Sequence, residues 1–372
     1  MALILTFLGK GGVGRSTVAI TAAKKLAEQG QRVLLASQDV GPAFGQRLGV
    51  TLTCDPQTIS ANLDVLQFQA TVLLERSWED VKKLEAEYLR DPFFKVVYGQ
   101  ELGILPGMDG ALALNAIREY DAAGAYDVII YDGPGDQETL RLFGMPDILG
   151  WYLRRFRDVF MASDFIKTIT PFAQPVASAV LNVDWGGDWL SKPSNEADNM
   201  LELGKEAVTD SDRVAAYLVT TEAADAIATA KYLWGSAQQV GLTVGGIFVN
   251  QCHGVDKGAE FNPLPTFALP KTAELTGSIT DNFNWMPLIS ACPDLRQIAE
   301  AIPSPLNINI EQRTVRLFLP SFDKKQVKLT QYGPEVTIEA GDQRRNILLP
   351  DALRGKPVTG AKFQENYLII SF

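Results

Sequence analysis

A glycine-rich loop near the N-terminus carries the backbone and side-chain groups that binding a phosphate requires. It comprises Gly9, Lys10, Gly11, Gly12, Val13, Gly14, Arg15, Ser16 and Thr17. Glycines let backbone N–H groups approach phosphate oxygens closely, and a helix beginning at the loop presents its positive end to the same group. Ser16 stands where a hydroxyl would ligate Mg²⁺. The loop therefore predicts a nucleotide site with Mg²⁺; the alternative is a tight strand–helix turn without a ligand.

One position of this loop departs from the usual phosphate-binding sequence, which ends in Gly-Lys followed by Ser or Thr. Arg15 replaces that lysine here. Arginine keeps the positive charge, but its planar fork is larger than an ammonium group and does not substitute for it at a close-fitting site. We therefore expect nucleotide binding to survive the replacement more readily than nucleotide hydrolysis.

Two aspartates end apolar runs that read as strands. Asp132 follows DVIIY and opens the sequence Asp-Gly-Pro-Gly, and Asp39 ends RVLLASQD. A carboxylate at the C-terminal end of a parallel strand lies in the crevice where α/β sheets bind ligands. Asp132 is accordingly a candidate to hold Mg²⁺ through water, and Asp39 to orient or deprotonate an attacking water. For either aspartate taken alone, a turn or a helix cap is the alternative.

The elements that position these residues predict a doubly wound, mostly parallel α/β sheet over residues 1–302. Strands are expected at 2–8, 31–36, 127–131, 215–219 and 244–249, and helices at 17–29 and 221–239. Apolar strands that alternate with helices are typical of such a sheet. An aromatic-rich stretch followed by the polar sequence SKPSNEADN interrupts the alternation. We interpret residues 147–212 as a helical insertion with a loop.

The pattern changes to a period of two near the C-terminus. The alternating segments are NINIEQRTVRLFLP, QVKLTQYGPEVTIEA, NILLP and YLIISF, with turn residues between them. Short alternating strands of this kind predict an antiparallel β sandwich. We place this second domain at residues 306–372, after a boundary near Pro303 and Pro305.

Composition narrows the classes of partner. The net charge of -10 and the pI of about 4.8 argue against nucleic acid, because an acidic chain repels phosphate backbones. No run of 18 apolar residues and no signal-peptide layout occurs, which predicts a cytoplasmic protein without a transmembrane segment and leaves peripheral membrane contact open. Cys54, Cys252 and Cys292 form no C-x-x-C pair, and we interpret them as buried inert thiols of a reducing compartment. His253 is the only histidine, so one chain cannot build a histidine metal site.

Several motifs occur together in an order that resembles the ArsA-type ATPases. They are GKGGVGRST, SQD, LPGMDGALALNAI, YDVIIYDGPGDQETLRLFGMP and VNQ. This family includes the arsenite-pump ATPase and the cytosolic ATPase that targets tail-anchored membrane proteins, and the resemblance covers most of residues 1–302. It implies ATP as the nucleotide and a homodimer as the working form. The additional lysine of the loop, here Lys10, then reaches across to the partner's nucleotide.

The resemblance also implies roles for residues that match the family's motifs. Asp39 matches the first-switch aspartate that activates water, and Asp132 matches the second-switch aspartate near Mg²⁺. Asn250 matches the asparagine that reads the adenine edge, with a strand-end turn as the alternative. The loop at Pro270 and Lys271 resembles the other adenine wall. Lys10 and Asp39 are thus the expected catalytic residues, and Ser16 and Asp132 the expected metal ligands.

Some family features are missing from this sequence. Val40, Gly41 and Pro42 follow Asp39, where the family continues with proline, alanine and histidine. Glu138 replaces the usual histidine of the second switch. The C-x-x-C pair that links the dimer of the targeting ATPase and the clustered thiols of a metalloid sensor are both absent. These departures do not change the family placement. They affect what we expect of the rate of hydrolysis and of the protein segment that is bound, the client.

The C-terminal segment carries a second resemblance, to the α-crystallin (small heat-shock protein) domain. RRNILLPDAL and GAKFQENYLIISF match strands of that domain. Ala361, Phe363, Leu368 and Ile370 occupy its A-x-F-x-x-x-x-L-x-I signature. An unrelated short β sandwich is the alternative.

Two functions follow as hypotheses from these features. The first is a homodimer that hydrolyses ATP slowly and couples the nucleotide state to binding of hydrophobic protein segments on the aromatic-rich stretch 151–172. The second is a nucleotide-regulated scaffold with little turnover, which Arg15 and the altered switches favour. An arsenite-pump subunit is a weaker third hypothesis, because the thiol cluster is missing.

Overall fold

The chain folds into an α/β part and an all-β part. The computed structural model describes residues 1–88, 104, 107–162, 195–253, 258–272, 275, 279 and 283–372. Nearly half of the predicted helical insertion, residues 163–194 with its aromatic positions, lies outside the described residues.

The elements of the α/β part begin and end close to the predicted positions. The strands are β1 Leu3–Leu8, β2 Val33–Ser37, β3 Gln57–Ser60, β4 Leu63–Gln67, β5 Val128–Asp132, β6 Val214–Thr220, β7 Thr243–Cys252 and β8 Thr266–Pro270. The helices are α1 Arg15–Glu28, α2 Ala43–Leu48, α3 Ala70–Tyr88, α4 Met108–Ala123, α5 Gln137–Ala162, α6 Asn195–Thr209, α7 Ala224–Val240, α8 Met286–Ala291 and α9 Leu295–Glu300. Helix α6 begins at Asn195, so the polar sequence expected to form a loop is partly helical.

The described strands of this part form one sheet in the order β3-β4-β2-β5-β1-β6-β7-β8. All neighbours are parallel except β3 and β4, which are antiparallel. Every residue of β1, β2, β5 and β6 is buried, which explains why these strands read as continuous apolar runs. The doubly wound sheet predicted from the sequence is confirmed. The strand order reverses beside β1, where such sheets bind ligands at their carboxyl edge.

Helices cover both faces of the sheet. On one face, α1, α2, α8 and α9 bury residues such as Ile20, Phe44 and Leu288. On the other face, α4, α5 and α7 bury residues such as Leu140 and Trp234. The carboxyl ends of the strands are therefore held from two sides, and the loops that leave them have fixed starting points.

The all-β part consists of two antiparallel sheets around a separate core. Its strands are β9 Leu306–Asn309, β10 Thr314–Phe318, β11 Val327–Tyr332, β12 Glu335–Ala340, β13 Gln343–Leu348, β14 Gly360–Gln364 and β15 Tyr367–Ser371. One sheet has the order β14-β15-β10-β9 and the other β11-β12-β13. Buried and exposed residues alternate along β10, as the period of two predicted. Strand β9 begins directly after Pro305, and the domain boundary at this position stays a prediction.

The signature residues of the predicted α-crystallin-like domain face each other across two strands. Ala361 pairs with Ile370, and Phe363 pairs with Leu368. Leu368 and Ile370 are buried in the core of the sandwich. The spacing of the signature is therefore the spacing of a hairpin whose alternate residues share one face.

Strand β13 of the sandwich packs against α7. The buried Gln239 side chain donates from Nε2 to the carbonyl oxygen of Ile338 at 2.6 Å, and Arg345 donates from Nη1 to the carbonyl of Gln238 at 3.0 Å. Burial lowers the pKa of Arg345 to about 10. The ring of Trp234 meets that of Phe318 edge-on, with centroids 5.7 Å apart. The two parts thus share a packed interface.

The sandwich also lies along α5, the helix that follows Asp132. Near the start of α5, Gln343 donates from Nε2 to Oε1 of Gln137 at 2.6 Å, and Arg141 forms an ion pair with Asp342. Farther along, Trp151 donates from Nε1 to a carboxylate oxygen of Glu335 at 3.1 Å. Trp151 was expected to belong to a client surface, but the sandwich covers it instead.

Candidate nucleotide site

The glycine-rich loop leaves β1 at the reversal of strand order. The N–H of Gly9 donates to the carbonyl of Gly135 at 2.9 Å, and a Cβ at Gly9 would collide with the carbonyl oxygen of Val219. Gly14 precedes α1 with φ of 93°, a conformation that favours glycine. No side chain caps the first turn of α1. The first N–H groups of this helix therefore remain available to an anion, and their binding of phosphate stays a prediction.

Asn250 fixes the loop from the neighbouring strand. It is 4% exposed, and its Nδ2 donates to the carbonyl of Val13 at 2.8 Å. A Cβ on Gly14 would overlap the same Nδ2 atom, so the loop and the amide are in close contact. The sequence predicts that Asn250 reads adenine; the structure places it beneath the phosphate loop, and its contact with the base stays a prediction.

The two proposed adenine walls lie side by side. Strand β7 ends at Cys252, which is the register partner of Pro270 at the end of β8. Lys271 follows immediately and is exposed. The topology therefore brings Asn250, Pro270 and Lys271 to the same carboxyl edge as the loop, and their roles stay predictions.

Ser16 and Asp132 meet at the point predicted for the metal. The hydroxyl of Ser16 lies beside the carboxylate of Asp132, which is 5% exposed. Burial raises the pKa of Asp132 to about 6, although Ser16 and the positive charge of Arg15 act in the opposite direction. A buried carboxylate beside a hydroxyl is stabilised by a divalent cation and supplies the oxygen ligands that Mg²⁺ prefers. These residues fit Mg²⁺.

Arg15 lies against the loop after β5. Its Nη1 atom contacts the position where a Cβ of Gly135 would stand, and that atom is buried without a hydrogen-bond partner. Burial lowers the pKa of Arg15, while Asp132 and Asp136 raise it. The guanidinium is thus directed toward the second switch, with one donor still unsatisfied.

Asp39 stands at the edge of the site in an exposed turn. Its carboxylate accepts from the N–H of Gly41 at 2.8 Å, and its carbonyl accepts from Nε2 of Gln67 at 2.6 Å. Its negative charge reaches Asp132 and contributes to the raised pKa there. Asp39 is therefore close to the expected metal site, and its action on water stays a prediction.

Lys10 points away from the loop interior. Its Nζ lies 2.7 Å from a carboxylate oxygen of Asp225, at the start of α7. The two side chains are 47% and 64% exposed. Exposed ion pairs of this kind contribute little to stability, so Lys10 can change partners at small cost.

Arg47 is the residue of this site that the sequence did not single out. It comes from the last turn of α2 and donates from Nη1 to the hydroxyl of Thr17 at 3.4 Å. Its charge also acts on Asp132 and favours the ionised carboxylate. The sequence signal was weak, because a single arginine in a six-residue helix has many uses on a protein surface.

The segment that follows Asp132, which the resemblance predicts to be the second switch, turns around Gly135. The N–H of Gly135 donates to the hydroxyl of Thr139 at 2.7 Å, and the N–H of Glu138 donates to Asp136 at 2.9 Å. Helix α5 begins at Gln137 directly after this turn. A cleft of about 560 Å³ opens nearby, lined among others by Gln38, Asp109 and Glu138.

The three cysteines lie in separate segments of the chain. Cys54 and Cys292 are buried, as predicted, and burial raises the pKa of Cys292 to about 12. Cys252 is only half-buried, with its Sγ 3.4 Å from a carboxylate oxygen of Glu222. Across the described ranges, no group of three or more His, Cys, Asp or Glu residues is arranged to hold a metal ion.

A membrane-spanning helix must be long and apolar. Among the described residues, no helix is both long enough and apolar enough to cross a bilayer.

Comparison with known proteins matches both parts of the chain. Residues 2–264 match the family described as Anion-transporting ATPase, and residues 311–372 match the HSP20-like domain found in ArsA. The chain is 25% identical over 395 residues to a putative arsenical pump-driving ATPase of Chlorobaculum tepidum, covering 99% of this chain and 95% of that protein. It is 21% identical over 397 residues to putative arsenical pump-driving ATPase 1 of Aquifex aeolicus, covering 99% of both.

A shorter match relates the chain to a protein named ATPase GET3. ATPase GET3 of Malassezia globosa is 27% identical over 177 residues, which cover 46% of this chain and 48% of that protein. The ordered motifs, the parallel sheet with its phosphate loop and the C-terminal sandwich all agree with these matches. The chain belongs to the ArsA-type, Anion-transporting ATPase family and is a nucleotide-binding ATPase with a C-terminal HSP20-like domain.

Proposed function

We propose that two copies of this protein close on Mg²⁺–ATP and couple the nucleotide state to the binding of hydrophobic protein segments. The position of Lys10 carries the dimer proposal. Its ammonium group lies at the exposed rim of the loop and is held by an exposed carboxylate of Asp225. A lysine that served its own phosphate pocket would point into the loop. A lysine at the rim is placed to reach a second copy.

The remaining groups divide the work of hydrolysis. The free N–H groups of α1 and the donor of Arg15 receive the phosphates, while Ser16 and Asp132 hold Mg²⁺. A bound Mg²⁺ would supply positive charge against the negative charge that develops on the phosphates during transfer. Asp39 orients the attacking water and accepts its proton.

The second-switch helix would connect hydrolysis to the client. Helix α5 starts directly after the Asp132–Asp136 turn and runs to Ala162, into the aromatic-rich stretch. Switch segments that contact the nucleotide rearrange after hydrolysis. Because Trp151 is covered by the C-terminal domain, the proposed client surface begins at Tyr152, which is 46% exposed.

A mixing experiment tests whether Lys10 acts across the dimer. We expect Lys10→Ala and Asp39→Asn homodimers to be inactive. In a mixed dimer, the Lys10→Ala subunit keeps its own Asp39 and receives Lys10 from its partner, so one complete site forms. After equilibration of equal amounts, half of the dimers are mixed, and turnover should return to about a quarter of wild type if subunits pair at random.

Two results would contradict this proposal in different ways. No recovery on mixing, with subunit exchange verified by labelled chains, would mean that Lys10 acts within its own subunit. Monomers at every nucleotide state in sedimentation would refute the dimer itself. Client binding is measured separately, with an apolar helical peptide and the ATP and ADP states.

A nucleotide-regulated scaffold with little turnover is the second candidate. The burial of Arg15 against Gly135, with one donor unsatisfied, favours it, because the cation is committed to the second switch. Steady-state turnover beside Arg15→Lys and Asp39→Asn separates the two functions. Turnover lost in Asp39→Asn supports the driven ATPase; tight binding without turnover, restored by Arg15→Lys, supports the scaffold.

An arsenite-pump role has support only from the names of relatives. The buried positions of Cys54 and Cys292, in separate segments of the chain, offer no shared thiol site. Turnover with and without arsenite measures this role, and stimulation by arsenite would favour it.

A further inference from the structure

Arg47 occupies an unusual position in the nucleotide site. Helix α2 is fixed in the core by Phe44 and Leu48, which are both buried beside α1. The helix ends at Leu48, and the N–H of Val50 returns to the carbonyl of Gly45 at 3.0 Å. The backbone that carries Arg47 is therefore anchored on two sides, and its side chain reaches the start of α1.

The guanidinium of Arg47 has no carboxylate at ion-pair distance anywhere in the described part of the chain. Its hydrogen bond to Thr17 is long, at 3.4 Å, and a neutral hydroxyl does not balance a full charge. The side chain is half-buried, so water compensates the charge only in part. The charge of Arg47 acts on Asp132 only from beyond ion-pair distance, so this fixed, half-buried cation is poised for an anion.

The neighbours of Arg47 indicate which anion it meets. Thr17 follows Ser16, the proposed Mg²⁺ ligand, in the first turn of α1. Backbone N–H groups of such a loop surround the α- and β-phosphates. Arg15 is directed toward Gly135 and the second switch, whereas Arg47 approaches from the first switch. The two cations therefore flank the phosphate position from different sides.

We propose that Arg47 binds the α- or β-phosphate of the nucleotide and supplies, from the first-switch segment, positive charge on a different side of the phosphates from Arg15. This inference rests on the nucleotide site proposed above but not on the dimer or the client. Guanidinium groups suit this task because their planar fork donates two hydrogen bonds to phosphate oxygens.

The test is the affinity for Mg²⁺–ATP and Mg²⁺–ADP, measured by calorimetry on the full chain. Arg47→Gln should weaken both nucleotides roughly 10- to 100-fold, the loss of a hydrogen bond to a charged group. The two losses should be equal, because the α- and β-phosphates are common to ATP and ADP. Arg47→Lys keeps the charge but not the fork and should fall between wild type and Arg47→Gln.

Arg32→Gln is the matched control. Arg32 pairs with Asp127 at the amino edge of the sheet, opposite the site, and should leave both affinities unchanged. Melting of the nucleotide-free proteins separates binding from structure: a phosphate contact predicts wild-type melting for Arg47→Gln. Any of three results would overturn the inference. They are wild-type affinity in Arg47→Gln, a loss of affinity confined to ATP, and a loss of affinity accompanied by a lower melting temperature. A wild-type chain that binds neither nucleotide would refute the nucleotide site as well.

Discussion

Two opposite charges are buried close together at the centre of the site. Burial raises the pKa of Asp132 and lowers that of Arg15, so the same loss of water acts against both charges. Among the ion pairs of the described residues, none joins Asp132 to Arg15. The charge of each side chain nevertheless lowers the free-energy cost of burying the other. The nucleotide-free protein therefore keeps charge in place at a free-energy cost that phosphate and Mg²⁺ can offset.

The first prediction concerns the stability of Asp132→Asn without ligand. The folded-state pKa of about 6 lies above the ordinary value of 3.8, so the folded protein binds more protons between these values, and wild-type stability falls as pH rises through them. Asparagine removes the buried charge. We expect the variant to be more stable at pH 7 by up to about 3 kcal/mol, with little difference near pH 4.

Urea unfolding in the presence of EDTA measures this difference, because the chelator removes any metal from the carboxylate. Asp351→Asn serves as the control, since Asp351 has a side chain that is 88% exposed. Equal stability of Asp132→Asn and wild type at pH 7 would show that the carboxylate carries no burial cost.

Among the elements of the fold, the phosphate loop is held in place by a strand that is far away in the sequence. The sequence predicts β1, the loop and α1 correctly, because an apolar run, glycines and helical spacing are local signals. It does not predict the hydrogen bond from Asn250 to Val13, which joins residues 237 positions apart. It also did not identify α2, since the last turn that holds Arg47 is placed by packing of Phe44 and Leu48.

The second prediction compares alanine at two glycines of the loop. Gly12 and Gly14 have similar φ values, 84° and 93°, so alanine costs backbone strain of about 1–2 kcal/mol at either. A Cβ at Gly12 meets nothing within 4 Å, whereas one at Gly14 meets the amide of Asn250. Gly14→Ala should therefore be less stable than Gly12→Ala by about 1–3 kcal/mol, the cost of the broken buried hydrogen bond.

Asn250→Ala supplies the internal control for this comparison. In its background the clash is gone, so the excess cost of Gly14→Ala should disappear in a double-mutant cycle of unfolding free energies. An excess that persists without the amide would mean that strain alone separates the two glycines.

The whole molecule is organised by the contact between the HSP20-like domain and the ATPase helices. The sequence predicts both parts from their periods and signature, but the docking of β13 on α5 and α7 has no local signal. Gly235 in α7 is a residue whose type reflects this docking. A glycine inside a helix is unfavourable by itself, and here it admits Phe322 and Pro320 of the C-terminal domain.

The third prediction contrasts Gly235→Ala with Gly110→Ala. A Cβ on Gly235 would stand 2.6 Å from a ring carbon of Phe322, so alanine should destabilise the protein by about 1–3 kcal/mol through overpacking. A Cβ on Gly110 of α4 makes only an ordinary contact, 3.5 Å from Leu142. Gly110→Ala should stabilise by about 0.5–1 kcal/mol, because it only improves helix propensity.

Unfolding midpoints in urea decide between these outcomes. If Gly235→Ala were as stable as Gly110→Ala, the close approach of the two domains would not exist in solution.

Two contacts join the C-terminal domain to the first turns of α5, next to the nucleotide site. They are the hydrogen bond from Gln343 to Gln137 and the ion pair between Arg141 and Asp342. A displacement of these turns must either take the domain along or break both contacts. Binding events at the two ends then share a free energy. A ligand of the sandwich that favours one arrangement of α5 would change the affinity for nucleotide by the same factor by which nucleotide changes the affinity for that ligand.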